Sequence, residues 1–438
     1  MKRFFLAATV VAWTSTSIAA FAQSSLTIYG NFDVALDRIE KSEGNVQGTV
    51  FGSSGGKQVP NAVAAPRSVT QRISPSLSRQ SNLGFKGTES LGQGYSAFFN
   101  LEASLSLDTG MTANDGRLFG RQSYVGLGSP FGEVKIGRQA SPMLAAYFRV
   151  TTEALGSTDL LAAGLVINTL QQFQDNALSY SVRDGSWSAM LSYSTNAGVG
   201  SGISAARSFA TGSTPAANAA TGQIVGGATA GAETAARRGR AQGAMLAYAN
   251  DTLTVLGALH RNDFGDVPVG IVSGGLLVPL FEANSFHSAL LGAKYKLPNT
   301  GTSFAATVHL GRFDFAGTAD PLVRTYGLGA KQAWGALALG IELVDTRFVN
   351  FTKGVDRGYM MGLDYQLSLR SALYMRAGVL SDKRGRIVKG DRTPLAIAGG
   401  PATMLIPLGA QEVPLFSGAG QNIDARTKII SIGMRHAF

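Results

Sequence analysis

Apolar and polar residues alternate along most of this chain. Between 95 and 107, Tyr95, Ala97, Phe99, Leu101, Ala103, Leu105 and Leu107 share one parity, while Ser96, Phe98, Asn100, Glu102, Ser104 and Ser106 share the other. Successive side chains of a strand point to opposite faces, so this segment is a strand with apolar surroundings on one side and largely polar ones on the other. The end of the chain repeats the pattern: Ile430, Ile432, Met434, His436 and Phe438 alternate with Ile429, Ser431, Gly433, Arg435 and Ala437. Residues 336–346 do the same. The periodicity predicts about sixteen strands. They fall at 25–37, 79–88, 94–107, 117–128, 132–139, 176–183, 186–194, 241–250, 252–262, 286–297, 302–313, 322–332, 335–348, 357–367, 370–381 and 426–438.

The connections alternate in length. Short turns are expected at 89–93, 129–131, 184–185, 250–251, 298–301, 333–334 and 368–369, and long connections at 38–78, 140–175, 195–240 and 382–425. Long loops on one side and short turns on the other are the arrangement of a transmembrane β-barrel. The expected fold is therefore all-β, a 16-stranded antiparallel transmembrane barrel with short periplasmic turns and long external loops. An even strand count puts both termini at the periplasmic end. The segment 195–240 is rich in Ala, Gly, Ser and Thr. It reads as a long low-complexity external loop rather than a linker, because the strand pattern has the same period on both sides.

Composition narrows the picture. The chain has 438 residues, of which 45% are hydrophobic and only 15% charged. That is apolar for an exported chain without a helical span, and a barrel in lipid accounts for it with one apolar residue in two. Lys2 and Arg3, an apolar stretch from Phe4 to Trp13 and the small-residue site Ala20-Phe21-Ala22 form an expected signal peptide over residues 1–22. Residues 23–438 are then one barrel domain. Loss of Lys2 and Arg3 lowers the formal charge from +10 to +8. A basic balance suits nucleic acid, anionic lipid or small anions. Export and the lack of a basic stripe interleaved with aromatics exclude nucleic acid. With no cysteine, disulfide scaffolds and thiolate metal sites are excluded.

Several segments resemble the general diffusion porins of Gram-negative bacteria, especially those of betaproteobacteria. Ser25-Leu26-Thr27-Ile28-Tyr29-Gly30 with Asp33 resembles the first strand of that family, and Asn82-Leu83-Gly84-Phe85-Lys86-Gly87-Thr88-Glu89 with Leu91-Gly92 its second strand and turn. Phe119-Gly120-Arg121-Gln122-Ser123-Tyr124-Val125-Gly126-Leu127, followed by Gly132 and Gly137-Arg138-Gln139, resembles its fourth and fifth strands. The terminal Phe438 resembles the signal read by the outer-membrane barrel assembly machinery. The likeness spans the mature chain and is strongest at 25–140 and 426–438. It implies a homotrimer in outer-membrane lipid, open to small hydrophilic solutes and ions, with the third loop (140–175) folded into the lumen. It also implies a constriction where acidic residues on that loop face basic ones on the wall. Arg121 matches a wall arginine of the family. Asn82 stands where a second is usual, Asn31 where enteric relatives have lysine, and Phe173 or Gln174 where a third arginine is frequent. The Pro-Glu-Phe-Gly-Gly tip of the enteric loop is absent from 140–175.

Catalytic and metal motifs do not survive inspection. Gly52-Ser53-Ser54-Gly55-Gly56 fits the G-x-S-x-G pattern, but that motif needs a strand-to-helix elbow and this one sits in a Gly/Ser/Pro-rich loop. His260, His287, His309 and His436 lack metal-ligand spacing. No cofactor is expected. The charged residues on the polar parity are the informative ones: Asp33, Lys86, Glu102, Arg121, Glu342, Asp364, Arg376 and Arg435 should face the lumen, either solvating the wall or setting ion choice. Glu153 and Asp159 are the acidic candidates on the third loop. The pore-lining set is thus Asn31, Asp33, Asn82, Glu102, Arg121, Glu153, Asp159, Arg376 and Arg435. Gln122 is expected on the outward parity, against another subunit. A substrate-specific channel for oligosaccharides or carboxylates, an adhesin and a barrel enzyme are the competing functions. The last needs clustered Asp/His residues, which are not found.

Overall fold

Sixteen strands form one closed antiparallel barrel in the computed structural model of the chain. It describes residues 24–45, 50–54, 57–61, 64–75, 78–112, 117–151, 172–197, 223–224, 239–273, 276–317, 320, 322–349, 354–383, 396–397, 400–401 and 425–438. The expected signal peptide, Glu153, Asp159 and most of 195–240 lie outside these. The barrel strands are β1 (Ser24–Lys41), β2 (Asn82–Gly92), β3 (Tyr95–Ser106), β4 (Gln122–Ser129), β5 (Gly132–Ala140), β6 (Phe173–Asp184), β7 (Trp187–Ser194) and β8 (Ala241–Ala249). They continue as β9 (Leu253–Ser273), β10 (Leu276–Lys296), β11 (Thr302–Ala316), β12 (Leu322–Trp334), β13 (Leu337–Val349), β14 (Gly354–Gln366), β15 (Ser371–Lys383) and β16 (Arg426–Ala437). Each pairs with its neighbour in sequence, and β1 closes on β16 from Asn31↔Ala437 to Lys41↔Thr427. Among the described residues no helix is long and apolar enough to cross a membrane.

The alternation seen in the sequence becomes an inside and an outside. Leu26, Ile28, Val125, Leu127, Ile136, Leu178, Leu191, Leu246, Leu291, Leu328, Leu343 and Ile432 are all more than half exposed or close to it. A soluble protein does not expose an apolar band of this extent. The opposite parity carries Glu102, Ser104, Ser179, Ser192, Thr307, Thr325, Glu342, Asp364, Arg376 and Ser431, all buried inside. Exposed Tyr95, Phe131, Tyr180, Trp187, Tyr295, Phe304, Trp334 and Tyr365 cluster at the strand ends beside the short turns, as an interfacial girdle does. The first of those turns needs three consecutive positive φ angles, and Gly92-Gln93-Gly94 supplies them at 85°, 53° and 81°.

Three local features depart from the sequence reading. The connection 38–78 is shorter than expected, because β1 runs on to Lys41 and the segment Ser68–Pro75 is a strand that pairs with its upper half, Val34↔Pro75 to Lys41↔Ser68. The second wall strand is therefore in two pieces, Ser68–Pro75 and β2, with an irregular break between them. β4 begins only at Gln122, so 117–121 is not strand. β9 and β10 have 21 residues each and extend well past the expected ends at 262 and 286. Gly52-Ser53-Ser54 of the G-x-S-x-G match lie on a short strand, Val50–Ser54, paired antiparallel with Lys57–Asn61, and Gly55 and Gly56 lie outside the described residues.

The chain after β5 turns into the barrel as helix α1 (Pro142–Val150). Ser141 caps it, its Oγ accepting from the Leu144 amide at 3.0 Å, and Pro142 opens the first turn where no N–H is needed. The helix buries Met143, Leu144, Ala146, Tyr147 and Val150 against an apolar patch on the inner wall made of Met245, Ala247, Leu256, Ala258 and Leu290. The helix comes so close to β10 that a Cβ at Gly292 would lie 2.3 Å from a Val150 methyl. Gly292→Val should push α1 off the wall while leaving the barrel closed. Limited chymotrypsin digestion is expected to cut at Tyr147 or Phe148 in the variant and not in the wild type, with the heat-modifiable gel mobility of the barrel retained in both.

Candidate functional site

The inner wall of β1–β6 and β14–β16 concentrates charge, and it stands across the lumen from α1, about half the circumference away. Asp33 is fully buried at its centre. Its carboxylate accepts from the amides of Ser78 (2.8 Å) and Arg79 (2.5 Å) and from the Tyr374 hydroxyl (2.5 Å). The Ser81 hydroxyl meanwhile accepts from the Asp33 amide (2.9 Å). These bonds satisfy the backbone where the second wall strand is broken. Asp33 is thus occupied with holding the 78–81 segment inside the barrel. The Arg79 side chain, carried on that segment, is exposed and has no ion pair among the described residues; Arg435, Asp364 and Asp33 surround it.

Ion pairs build the wall on either side. Arg376 has no exposed surface; it donates to Asp364 at 2.7 Å and to the Leu363 and Met375 carbonyls, over the Tyr374 ring. Arg435 reaches the other oxygen of Asp364 at 2.8 Å and the Ser78 hydroxyl at 2.6 Å. Arg72 pairs with Asp37 at 3.2 Å. Around β3 and β4, Arg121 is bonded to Glu102 and to Gln80, and Tyr29 donates to Glu102 at 2.6 Å. Arg121 and Arg138 both stack on Phe173, with distances of 5.5 and 5.7 Å to its centroid. Arg117 and Arg138 share Asp175 at 2.7 and 2.6 Å. Asn82 accepts from the Asn31 amide at 2.9 Å, and both stand on the same inner row as Ser104. Lys86 lies 5.1 Å above the Tyr29 ring.

Of the expected pore-lining residues, Asn31, Asp33, Asn82, Glu102, Arg121, Arg376 and Arg435 stand together on this wall. Glu153 and Asp159 lie outside the described residues. Gln122 is a correction: it pairs across from Glu102 and so shares the inner face, not the outer. Sequence reasoning did not select Arg79, Arg138 or Asp175. Alternation sends Arg138 outward with Ser123, its register partner, but the ladder slips beside Gly137, whose φ is 131°, and the guanidinium turns in to Asp175. The glycine of Gly137-Arg138-Gln139 was the available signal. Arg79 follows the break, where parity carries no information. Among the described residues no His/Cys/Asp/Glu group is placed to hold a metal.

A closed barrel with an apolar exterior, a girdle of aromatics and a lumen of charged side chains narrowed by an inserted segment defines an outer-membrane channel protein. Residues 7–385 match the Gram-negative porin family, and the chain belongs to it. It is 27% identical to outer membrane porin protein 32 of Delftia acidovorans over the full length of both chains. It is 32% identical to an outer membrane porin protein of Bordetella pertussis over 37% of this chain and 38% of that one. Among solved structures, an anion-selective porin from Comamonas acidovorans superposes with a TM-score of 0.63 at 20% identity, covering 95% of this chain and all of that one. A trimer form of OmpT from Vibrio cholerae gives 0.55 at 12%, covering 95% and 99%. The sixteen-strand barrel and the outer-membrane location expected from the sequence are thereby established.

Because Arg376 is fully buried, its pairing with Asp364 is expected to hold the wall together. Removing one member of a buried pair typically costs about 3–5 kcal/mol. Asp364→Asn strands both Arg376 and Arg435, and urea unfolding of the detergent-solubilised barrel should show a loss at the lower end of that range. A loss no larger than for a surface pair such as Arg38–Glu40 would contradict the assignment.

Proposed function

We propose that this porin passes small hydrophilic solutes and ions by passive diffusion with a mild preference for anions. The preference is set on the wall of β1–β6 and β14–β16. The observation that carries this is the count of charges there: Lys86, Arg72, Arg79, Arg117, Arg121, Arg138, Arg376 and Arg435 against Asp33, Asp37, Glu102, Asp175, Asp356 and Asp364, with Lys135 and Glu133 of the same face paired to each other. Asp33, Asp37, Glu102, Asp175 and Asp364 are bonded to arginines, hydroxyls or backbone amides, which leaves Arg79, near Asp364 and Asp33 but in no ion pair among the described residues, as the exposed cation and Lys86 as a second. The formal charge of the whole chain matters less, because charges on outer loops are screened within roughly 8–10 Å in physiological salt. The commitment of Asp33, Asp37, Glu102, Asp175 and Asp364 to structural bonds supports a channel without enzymatic activity.

Arg121 works differently from Arg79. It neutralises Glu102, so its loss both removes a cation and uncovers a carboxylate. A unit charge about 6 Å from a permeant ion in a water-like dielectric is worth ~0.7 kcal/mol, roughly threefold in relative permeability. Arg79→Ala should lower the chloride-to-potassium permeability ratio by about that factor, and Arg121→Ala by at least as much. Zero-current potentials in a potassium chloride gradient at low salt measure this. Unchanged potentials in both variants would remove these residues from the ion path.

The protein acts in this reading as a homotrimer, joined through the β1–β5 side. That face presents aliphatic Leu26, Ile28, Leu36, Val125, Leu127 and Ile136. Phe438 serves assembly. Its amide and carbonyl bond to Gly30 across the seam at 3.1 and 3.3 Å, and its ring packs on Phe32 with centroids 5.1 Å apart. Deleting Phe438 should reduce the SDS-resistant trimer recovered from outer membranes on semi-native electrophoresis, while surviving channels keep wild-type conductance. Normal trimer yield after deletion refutes the assembly role, and wild-type protein running only as monomer refutes the trimer.

A further inference from the structure

The outward face of β8–β12 contains an open hollow of about 690 Å³. Two register rows cross it. The upper row sets Gln242, Arg261, His287 and Arg312 side by side on adjacent strands. The row beneath reads Ala244, Leu259, Ala289, Leu310 and Arg324. Neighbouring strands are 4.7–4.9 Å apart, so Arg261 and Arg312 flank His287 at about 10 Å from each other. In the lower row small and large residues alternate, and the two alanines leave grooves, Ala289 between Leu259 and Leu310 and Ala244 on the far side of Leu259. Below them the wall continues as exposed Leu246, Leu291 and Val308.

The height of these cations is informative. Arg261, Arg312 and Arg324 stand eight to ten residues above the short-turn ends of their strands, at Leu253, Thr302 and Trp334. With a rise of about 3.3 Å per residue and a tilt near 40°, that is roughly 20–25 Å up the wall, the height of the apolar band of such barrels. The arginines therefore sit where outer-leaflet headgroups lie. A lipid-facing arginine is costly at the midplane and tolerated at that interface. Arg261 is held by Asp263 at 2.7 Å, and Arg312 is paired with Asp320. A guanidinium carries five N–H donors, and a single carboxylate does not use them all. Arg324 is exposed and has no side-chain partner among the described residues.

We propose that this hollow binds a phosphorylated, acylated lipid of the outer leaflet. Its phosphate lies on Arg324 and the Arg261–His287–Arg312 row, and an acyl chain lies in the grooves at Ala244 and Ala289. The charge pattern selects this occupant. Three arginines and no carboxylate line the hollow, and the nearest carboxylates, Asp263 and Asp320, each hold one arginine from beside it, so the lining itself turns guanidinium donors toward an anion. A phosphate accepts from several guanidinium groups at once, and the aliphatic floor suits a hydrocarbon chain.

The test uses full mature protein in dodecyl maltoside, stripped of co-purified lipid and titrated with bis-phosphorylated lipid A while native mass spectrometry counts bound lipid. Saturable binding of one lipid per chain is expected. Arg324→Ala and Ala289→Trp, both on the outer face, should each weaken it by about tenfold, and Arg324→Lys should recover most of the loss. Lipid A lacking its phosphates should bind at least about tenfold more weakly than the intact lipid. Inorganic phosphate alone should fail to compete at equal concentration. Conductance should be unchanged in all variants, which keeps this site separate from the ion path. Equal binding of the dephosphorylated lipid, full competition by inorganic phosphate, or wild-type affinity in both Arg324→Ala and Ala289→Trp would each overturn the proposal. Loss of the oligomer with lipid binding intact would assign the hollow to a subunit contact instead.

Discussion

The structure depends first on the rule that no backbone hydrogen-bonding group can be left open to hydrocarbon. In lipid each orphan N–H or carbonyl costs several kcal/mol, and a sheet avoids that only by closing on itself. The ladder between β1 and β16 is where closure happens, and it runs without a shift from Asn31↔Ala437 to Lys41↔Thr427. The other large features are arranged around that seam. Asp37 of β1 accepts from Ser431 of β16 at 2.5 Å, and Asp33 of β1 accepts from Tyr374 of β15. The charged wall is thus also the reinforcement of the closing joint, with side-chain bonds crossing it inside and the Phe438–Phe32 ring contact beside it.

Closure fixes which face meets lipid, and the lumen then has to solve a different problem. Seven arginines crowd onto one wall, and like charges at that spacing repel unless they are matched. Asp364 and Asp175 each serve two arginines, and Glu102 serves one together with Tyr29. Across the lumen the solution is the reverse. The wall of β8–β10 is apolar inside, with Met245, Leu256 and Leu290, because it is covered by α1 rather than by water. One side of the channel is therefore polar and hydrated, the other a packed helix.

Most of the barrel was readable in the chain because a regular strand converts sequence parity directly into side-chain direction. Ile430, Ile432 and Met434 are exposed and Ile429 and Ser431 buried, as their alternation requires. The reading failed where the ladder is irregular. Gln122 follows the bend at Arg121, so two consecutive residues both reach inward. Arg138 follows the slip at Gly137. Arg79 follows a break held by Asp33. Each is a place where a long-range bond, not local period, decides direction, and such bonds join residues that no window on the sequence contains. The helix α1 carries a signal in Ser141, Pro142 and the apolar run after them, which the reading of 140–175 as a loop passed over, and its partner surface is assembled from three strands roughly a hundred residues or more downstream.

The Phe438–Gly30 pairing has a consequence for the order of events in folding. The bonds that complete the cylinder join β1 to β16; Ser431 and Asp37 alone are 394 positions apart. Contacts of such separation carry the greatest loop-closure entropy and form slowly. Every hairpin between neighbouring strands can form before them, so the last step is the joining of two free sheet edges. Until β16 has docked on β1, both edges are open templates for another chain. The time between synthesis of β1 and docking of β16 is therefore the interval in which this protein is most prone to aggregate, and the Phe438–Gly30 bonds that extend the ladder bring that interval to an end.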